Sequence, residues 1–446
     1  MASKIQTMSL NVDTMRTIDR LAGIPLCAIA TPIVAAIDWW RERHHKKKTA
    51  LLNSHNTDAE ADSDAKRQTF KPKKILFIEL SEMGSAILVD PAMRNAQARG
   101  AELYFLIFKS NQLSLTMLNT VSPDHVFTIE SSGLWSLLRD TLRFLWWARQ
   151  NQIDTVIDLE LFSRFTALLT GLCGATRRVG YHIFHGEGLW RGNMLTHKVH
   201  YNPHIHIAHN FLSLVHAAFS TEKEVPFSKV ALSEQPIKLA QATIQAPQRL
   251  KVLTQIEVAA SQADIAFTLG QQPLFLVNAN ASDLLVQRRW APERFAALAQ
   301  AIVRTWPDAL ILLTGSPSEF AYVENVRTQA NVNQVLNWAG KVTFNELPAL
   351  YSLADVMVTN DSGPAHFSAV TPLHTVVLFG PETPELYGSL GNSIAITARL
   401  ACSPCVSAAN HRKTPCSNNV CMQAIGVEQV LQAISRQFTA SRLQKP

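Results

Sequence analysis

Short apolar runs alternate with longer mixed stretches in two separate parts of the chain. Such short, continuous runs are typical of strands that are buried on both faces of a parallel sheet, and the stretches between them have the length of helices. We predict strands at residues 73–80, 103–108, 126–129 and 154–159 in the first part, and at 274–280, 309–313, 353–358 and 376–379 in the second. Among the stretches between them, we predict helices at 87–98 and at about 237–253. Strands and helices that alternate in this way indicate doubly wound α/β sheets.

The N-terminal part of the chain follows a different pattern. Residues 21–37 carry no charge, contain two prolines, and precede a Trp39-Trp40 pair and a basic cluster at 41–48. A spanning helix needs about 20 apolar residues, whereas tryptophans and Lys/Arg clusters are typical of the cytoplasmic membrane interface. We predict an interfacial or hairpin-like anchor on the cytoplasmic leaflet. A spanning helix and a soluble apolar helix packed on the body are the alternatives.

A chain of 446 residues is long for one hydrophobic core, so we expect two domains with extensions. Residues 49–70 are polar with little periodicity, which is typical of a linker. The predicted division is a membrane-associated segment at 1–48, the linker at 49–70, a Rossmann-like domain at 71–255, and a second at 256–446 with a cysteine-rich tail.

The charge of the chain narrows the choice of partners. The formal net charge is +6 and the isoelectric point is about 9.0, and part of this excess lies in the cluster at 41–48. The chain shows no basic motif with interleaved aromatic residues, so we expect no nucleic acid partner. An anionic membrane surface fits the charge better.

One strand–turn–helix pattern carries candidate chemistry. The predicted strand at 353–358 leads into Asn360-Asp361, a turn at Ser362-Gly363-Pro364, and a predicted helix that contains His366. Backbone N–H groups at such a helix N-terminus favour a phosphate. A second turn, at Phe379-Gly380-Pro381, follows the next strand, at the sheet edge where ligands bind in open α/β sheets. The alternative is an ordinary strand–turn–helix with a capping aspartate.

These motifs resemble those of the heptosyltransferase family of GT-B glycosyltransferases, over residues 73–434. The resemblance implies two Rossmann-like domains that face a cleft, and a loop that binds the diphosphate of a nucleotide-sugar, usually ADP-heptose. It implies donor contacts for the following residues: Arg288, Thr314, Gly315, Asp361, Ser362, Gly363, Pro364 and His366. Arg288 stands where the family has a lysine, which keeps the charge but changes its geometry.

The turn after the first predicted strand, residues 81–86, is called the catalytic turn here, and it departs from the family pattern. In the family, an aspartate follows the glycine of the first turn and is thought to deprotonate the acceptor hydroxyl. Here Gly84 is followed by Ser85, whose hydroxyl is not appreciably ionised near neutral pH. Glu82 is our candidate base, because a partly desolvated carboxylate has a raised pKa. The alternative is that Glu82 caps the helix that starts near Ser85.

Three arginines are candidates for acceptor binding. Arg164, Arg178 and Arg191 lie in the first half, near strand ends and in a polar, Gly-rich segment. Guanidinium groups pair well with phosphates and carboxylates, so we predict contacts to an anionic acceptor. A solvated basic loop is the alternative.

Four cysteines cluster near the C-terminus as Cys402-x2-Cys405 and Cys416-x4-Cys421. This spacing in a cytosolic enzyme favours metal over disulfides, and four thiolates can bind Zn²⁺ tetrahedrally. Structural zinc, free thiols and disulfides all remain open. The resemblance implies that transfer itself needs no metal or other cofactor.

Together these features predict an inverting glycosyltransferase on the cytoplasmic face of a bacterial inner membrane. It would move heptose or a related sugar from a nucleotide-sugar, ADP-linked in the family, to a lipid-linked or lipopolysaccharide-type acceptor. A degenerate GT-B protein that binds without catalysis is the alternative, and the missing aspartate after Gly84 supports it. A sugar-nucleotide epimerase or phosphatase with two Rossmann halves is a further rival.

Overall fold

The computed structural model describes residues 12–53, 71–80, 83–184, 189–221, 225–231, 237–281, 283–407 and 413–444. Its first sheet has six parallel strands in the order β3-β2-β1-β4-β5-β6. These are β1 (Lys74–Ile78), β2 (Glu102–Phe108), β3 (Val126–Ile129), β4 (Thr155–Asp158), β5 (Arg177–Tyr181) and β6 (His197–Val199). The short continuous apolar runs of β1 and β2 therefore pair directly at the centre of a buried sheet.

Helices cover both faces of this sheet. They are α1 (Val12–Leu21), α2 (Gly23–Asn53), α3 (Met83–Leu88), α4 (Asp90–Ala98), α5 (Leu113–Thr116), α6 (Leu134–Gln150), α7 (Arg164–Leu172) and α8 (Ile207–Phe219). One core packs α4 and α8 on one face, and a second core packs α6 and α7 on the other. The helix that we predicted at 87–98 is divided at Val89, just before Pro91.

The second sheet also has six parallel strands, in the order β12-β11-β10-β7-β8-β9. These are β7 (Leu274–Asn278), β8 (Leu310–Leu313), β9 (Val335–Asn337), β10 (Val356–Asn360), β11 (His374–Phe379) and β12 (Ser393–Thr397). The strand order reverses between β7 and β10. Because ligands bind outside the carboxyl ends of strands at such a switch point, the loops after β7 and β10 are the expected site.

The helices of the second half are α9 (Ala246–Gln262), α10 (Pro292–Thr305), α11 (Phe320–Ala330), α12 (Leu347–Leu353), α13 (Gly363–Ser368), α14 (Pro384–Tyr387), α15 (Val420–Gln423) and α16 (Val427–Gln444). Two boundaries differ from our predictions. Leu353 ends α12 instead of starting a strand, and the buried Asp355, which accepts the N–H of Leu274 at 2.9 Å, lies just before the first residue of β10. The helix predicted at 237–253 begins only at Ala246, where Pro247 favours a helix start.

The prediction of two doubly wound sheets is confirmed. The domain boundaries at 71–255 and 256–446 stay predictions. Helices α1 and α2 pack against α7, through a small core that contains Cys27, Val34 and Met194. By length and composition alone, the part of α2 at 23–44 is sufficient to cross a membrane.

Trp290 lies in the core of the second half. Its ring is fully buried, meets Phe295 edge-on at 5.0 Å, and its Nε1 donates to the carbonyl of Ile425 at 3.1 Å. Trp290→Ala should lower the free energy of unfolding by about 3–5 kcal/mol, because it leaves a cavity in the core. Trp135→Ala is the control, and since Trp135 is exposed it should change stability by less than about 0.5 kcal/mol in urea denaturation. Equal effects of the two substitutions would contradict the assignment of Trp290 to the core.

Candidate active site

The buried side chain of Asn360, at the carboxyl end of β10, connects three loops. Its amide nitrogen donates to the carbonyls of Ala279 and Asn280 after β7, at 3.2 and 3.3 Å. Its amide oxygen accepts the backbone N–H of Trp290 at 3.1 Å. Asn360 thereby fixes the turn that carries Arg288 against the ends of β7 and β10. Our sequence analysis noted Asn360 as a polar strand end, but did not select it as a site residue.

Arg288 and Asp361 face each other beside this amide. The Nη1 of Arg288 lies 3.7 Å from Oδ2 of Asp361, and both side chains are largely buried. Among the described residues, no hydrogen-bond acceptor meets the buried Nε of Arg288. A nearly desolvated guanidinium with donor capacity left over favours an anion that brings its own acceptors. The geometry thus makes Arg288 the centre of a candidate anion site.

The turn after Asp361 starts α13. The Ser362 hydroxyl donates to the carbonyl of Asn360 at 3.2 Å and lies 3.3 Å from the hydroxyl of Thr359. The side chain of Ser362 is therefore engaged within its own loop. Thr314 and Gly315 follow β8 at the same edge, and Thr314 accepts from the amide of Asn278.

The two halves of the molecule meet directly at this loop. A Cβ built on Gly84 would lie only 2.7 Å from Cδ2 of His366, which itself is buried. Only a glycine permits this approach of α3 to α13. Ser85 follows in α3, and Glu82, our candidate base, lies outside the described residues. The structure thus brings Gly84 up to His366 in the predicted donor loop.

Two further contacts join the halves. The hydroxyl of Thr116 donates to the side-chain oxygen of Asn345 at 3.1 Å. His206 accepts the N–H of Ala208 at Nδ1, so its Nε2 carries the proton and donates to the carbonyl of Gly388 at 2.9 Å. Burial lowers the pKa of His206, which favours this neutral form.

The three arginines predicted to bind an acceptor are all buried, and each pairs with an aspartate of this chain. The pairs are Arg164 with Asp19, Arg178 with Asp38, and Arg191 with Asp158. The alternative of a solvated basic loop is wrong for these three side chains, because none of them is exposed. The acceptor role of the three stays a prediction, and their observed contacts are internal.

Asp158, at the end of β4, is the most enclosed of these partners. Burial raises its pKa, while Arg191, the backbone N–H of Glu160 and the hydroxyl of Thr166 oppose the shift. Glu160 accepts the N–H of Leu80 at 3.1 Å. These acidic groups fix the ends of β1 and β4 against each other, directly before the catalytic turn.

The cysteine-rich segment packs beside the donor loop. The carbonyl of Cys416 accepts from the side chain of Gln287 at 2.7 Å, and the N–H of Cys405 donates to the carbonyl of Pro381 at 3.0 Å. Cys402, Cys405, Cys416 and Cys421 are free thiols, and within the described ranges no three potential ligands form a metal-binding group. Structural zinc stays a prediction.

Two parallel sheets that place their ligand-binding edges on one cleft define the GT-B class of fold. A model of glycosyltransferase family 9 (heptosyltransferase) matches residues 143–414, which is more than half of the chain. The chain belongs to this family, as its motifs predicted.

Curated relatives agree with this family assignment, and solved structures share the fold. Over 160 residues the chain is 29% identical to lipooligosaccharide heptosyltransferase 2 of Campylobacter jejuni, covering 35% of this chain and 48% of that protein. The chain thus spans about half the length of the curated relatives it matches. The E. coli ADP-heptose lipopolysaccharide heptosyltransferase II has a similar fold, with a TM-score of 0.63, 17% identity, and coverage of 82% of this chain and 99% of that one. A family 9 glycosyltransferase from Veillonella parvula is also similar in fold, with a TM-score of 0.61 and 19% identity. The match covers 83% of this chain and 99% of that one.

Gly84→Ala tests the contact between the halves. Its Cβ would overlap His366, so we expect α3 and α13 to separate and amide hydrogen exchange at residues 363–368 to accelerate. Gly84→Ala combined with His366→Ala should restore slow exchange, because the overlap is removed. Gly426→Ala is the control, since nothing lies within 4 Å of its Cβ position. Unchanged exchange in the single variant would show that the halves do not meet there.

Proposed function

We propose that this chain is an inverting glycosyltransferase. It moves heptose or a related sugar from an ADP-linked donor to a lipid-linked or lipopolysaccharide-type acceptor. Membership of family 9 supports sugar transfer, and the relatives that are named lipooligosaccharide heptosyltransferase 2 support an envelope acceptor. The name of the similar E. coli enzyme includes ADP-heptose, which supports the choice of donor.

The arrangement at Arg288 is the single observation that carries this proposal. Its guanidinium is largely buried, its Nε meets no described acceptor, and its nearest carboxylate, that of Asp361, is 3.7 Å away. A diphosphate placed there would take up the remaining N–H donors in a bidentate manner. The backbone N–H groups of Ser362 and Gly363, together with His366, would add donors to the phosphates, and Pro364, which has no N–H, would fix the turn that presents them. Thr314 and Gly315 would then border the nucleoside.

The proposed reaction is a displacement at the anomeric carbon of the donor. An acceptor hydroxyl forms the new C–O bond while the bond from that carbon to the diphosphate oxygen breaks. The hydroxyl proton goes to the base, and the electron pair of the broken bond stays on the leaving nucleoside diphosphate. Arg288 stabilises the charge that develops on this leaving group. The close approach of the two halves at Gly84 and His366 would limit the access of water to the reacting atoms.

Glu82 is the proposed base, and Ser85 is a neighbouring group that would orient the acceptor hydroxyl. Both belong to the turn next to Gly84, which lies against His366. Their closeness in sequence to Gly84 supports this assignment. No metal is needed in this scheme, because Arg288 supplies the positive charge.

A second candidate function is a binding protein that does not catalyse transfer. The observation in its favour is Ser85, which replaces the aspartate expected from the family pattern. The two candidates differ only in turnover, since both require the donor site around Arg288.

Replacing Arg288 tests the donor site. Arg288→Gln should weaken ADP binding by about 10- to 100-fold in calorimetry, because a charge-assisted hydrogen bond contributes about 1.5–3 kcal/mol. Arg288→Lys should recover part of the affinity, since the charge is retained. Arg304→Gln, on the exposed face of α10, is the control and should bind ADP normally. Normal ADP binding by Arg288→Gln would rule out the site.

Replacing Glu82 tests the base separately from binding. Glu82→Gln should slow transfer from ADP-heptose to a deacylated lipopolysaccharide-core acceptor by about 10²–10⁴-fold and leave donor affinity unchanged, because only proton removal is lost. Glu257→Gln, on the exposed side of α9, is the matched control. Full activity of Glu82→Gln would refute the assignment. Donor binding without transfer by the unmodified protein would favour the binding-only candidate.

A further inference from the structure

Helix α2 is apolar around most of its circumference, but only a narrow stripe of it is buried. Gly23, Cys27, Ala30 and Val34 recur every three or four residues and face the protein body. The other faces leave large apolar side chains exposed, namely Ile24, Leu26, Ile29, Ile33, Ile37, Trp39 and Trp40. A soluble helix normally places polar residues on its outer side. This exposed apolar face, called the bare face of the helix below, therefore requires a partner.

Polar contacts between residues 19 and 38 attach the buried stripe of α2 to the body. Asp19, just before α2, pairs with Arg164, and Asp38 pairs with Arg178. Between these pairs the hydroxyl of Thr31 accepts the N–H of Asn193 at 3.0 Å. A helix that has a folded domain against every turn of one side cannot also be surrounded by lipid. Docked in this way, α2 lies beside the domain and does not span a bilayer.

Helix α6 exposes a second apolar face. Asp140, Phe144 and Ala148 are its buried residues and point towards the sheet. The opposite side bears a stripe at helical spacing, formed by Trp135, Leu138, Leu142 and Trp146, of which Trp135 is 79% and Trp146 63% exposed. Such a stripe resembles a core-facing helix surface, yet it packs against nothing in the described chain.

Both bare faces belong to one layer of helices. α6 packs over β3, α7 over β4, and α2 contacts α7 on its other side. On β5, Val179 and Tyr181 point into the core beneath α8, so Arg178, which pairs with α2, points to the opposite face. The layer α6–α7–α2 therefore covers a single face of the first sheet. The outer sides of α2 and α6 point away from that sheet in the same direction.

We propose that the outer face of this layer lies flat on an anionic phospholipid bilayer. The exposed charges favour this occupant. Arg139 and Arg143 flank the α6 stripe, are 56% and 68% exposed, and share the buried carboxylate of Asp140. Arg20 and Arg43 are exposed beside α2 together with Glu42, so positive charge remains in excess on this face. Asp19 and Asp38 are turned inward by their arginine partners, so they do not offset this positive charge. Tryptophans combined with arginines suit the headgroup region of a membrane.

This surface also reaches the cleft. Arg164 starts α7 directly after the carboxyl end of β4, and its Nε donates to the carbonyl of Trp190, which is itself exposed. The end of the layer at which α7 begins, next to α1, thus lies at the same sheet edge as the catalytic turn. If the proposed transfer reaction holds, a lipid-linked acceptor would enter from this end without leaving the bilayer. The docking itself does not depend on that reaction.

The test measures sedimentation of the full chain with vesicles. One variant changes the α6 stripe to Trp135→Gln, Leu138→Gln, Leu142→Gln and Trp146→Gln. A control variant removes exposed apolar residues elsewhere, through Leu250→Gln, Val258→Gln and Phe320→Gln. We expect the α6 variant to lose affinity for phosphatidylglycerol-containing vesicles by about ten-fold or more, because apolar area is no longer buried. The control variant and the unmodified chain should bind alike, and both should bind phosphatidylcholine vesicles more weakly.

Several outcomes would overturn the proposal. These are an α6 variant that binds vesicles normally, a control variant that is equally impaired, and a dimer that dissociates in the α6 variant without any vesicle binding. Lipids brominated near the headgroup should quench tryptophan fluorescence more than lipids brominated deep in the acyl chains, and the reverse order would indicate a spanning α2. ADP calorimetry on the α6 variant separates this test from the donor site, since ADP affinity should be unchanged.

Discussion

The buried amide of Asn360 is the interaction on which the candidate site depends. It satisfies two carbonyls after β7 and one N–H at Trp290, and so joins loops that are 70 to 81 residues apart in sequence. A fully paired polar group in a low-dielectric interior is rigid, because any displacement leaves buried partners unsatisfied. This rigidity places Arg288 opposite Asp361 before any ligand arrives. Preorganised charge of this kind is what stabilises a leaving group without further rearrangement.

The same principle governs the first half, where ion pairs replace the amide. Asp158 and Arg191 lie at the end of β4, and Glu160 connects this strand end to Leu80 after β1. The turn with Gly84 and Ser85 follows from that point. Each half thus presents its loop from a strand end fixed by buried polar contacts, and the close approach at His366 brings the two loops together.

Much of the architecture could be predicted from local patterns. Continuous apolar runs identified the parallel strands, and the Gly-Pro turn at 363–364 identified the loop after β10. The boundary between α12 and β10 could not be predicted, because both elements are buried and the polar residue between them, Asp355, is buried as well. The helix predicted at 237–253 was started too early, since only Pro247 marks its first turn.

The side-chain partners were harder to predict than the elements. Arg164 and Arg178 are 145 and 140 residues from the aspartates that pair with them, and no local spacing signals such contacts. They were therefore assigned to an anionic acceptor on residue type alone. Asn360 was overlooked because a buried amide leaves no trace in sequence beyond its position at a strand end. Long-range polar pairing is decided by the fold, and becomes visible only once the strands are placed.

The two pairs that attach α1 and α2 have a consequence for how the chain is built. Removing one partner of a buried ion pair costs about 3–5 kcal/mol, because the other charge loses its compensation. A proteolytic fragment without its first helices would retain Arg164 and Arg178 without their counter-ions and would uncover Ala167 and Met194. The N-terminal helices α1 and α2 are therefore structural parts of the first half. Removing them would destabilise that half and would also remove part of its proposed membrane-docking surface.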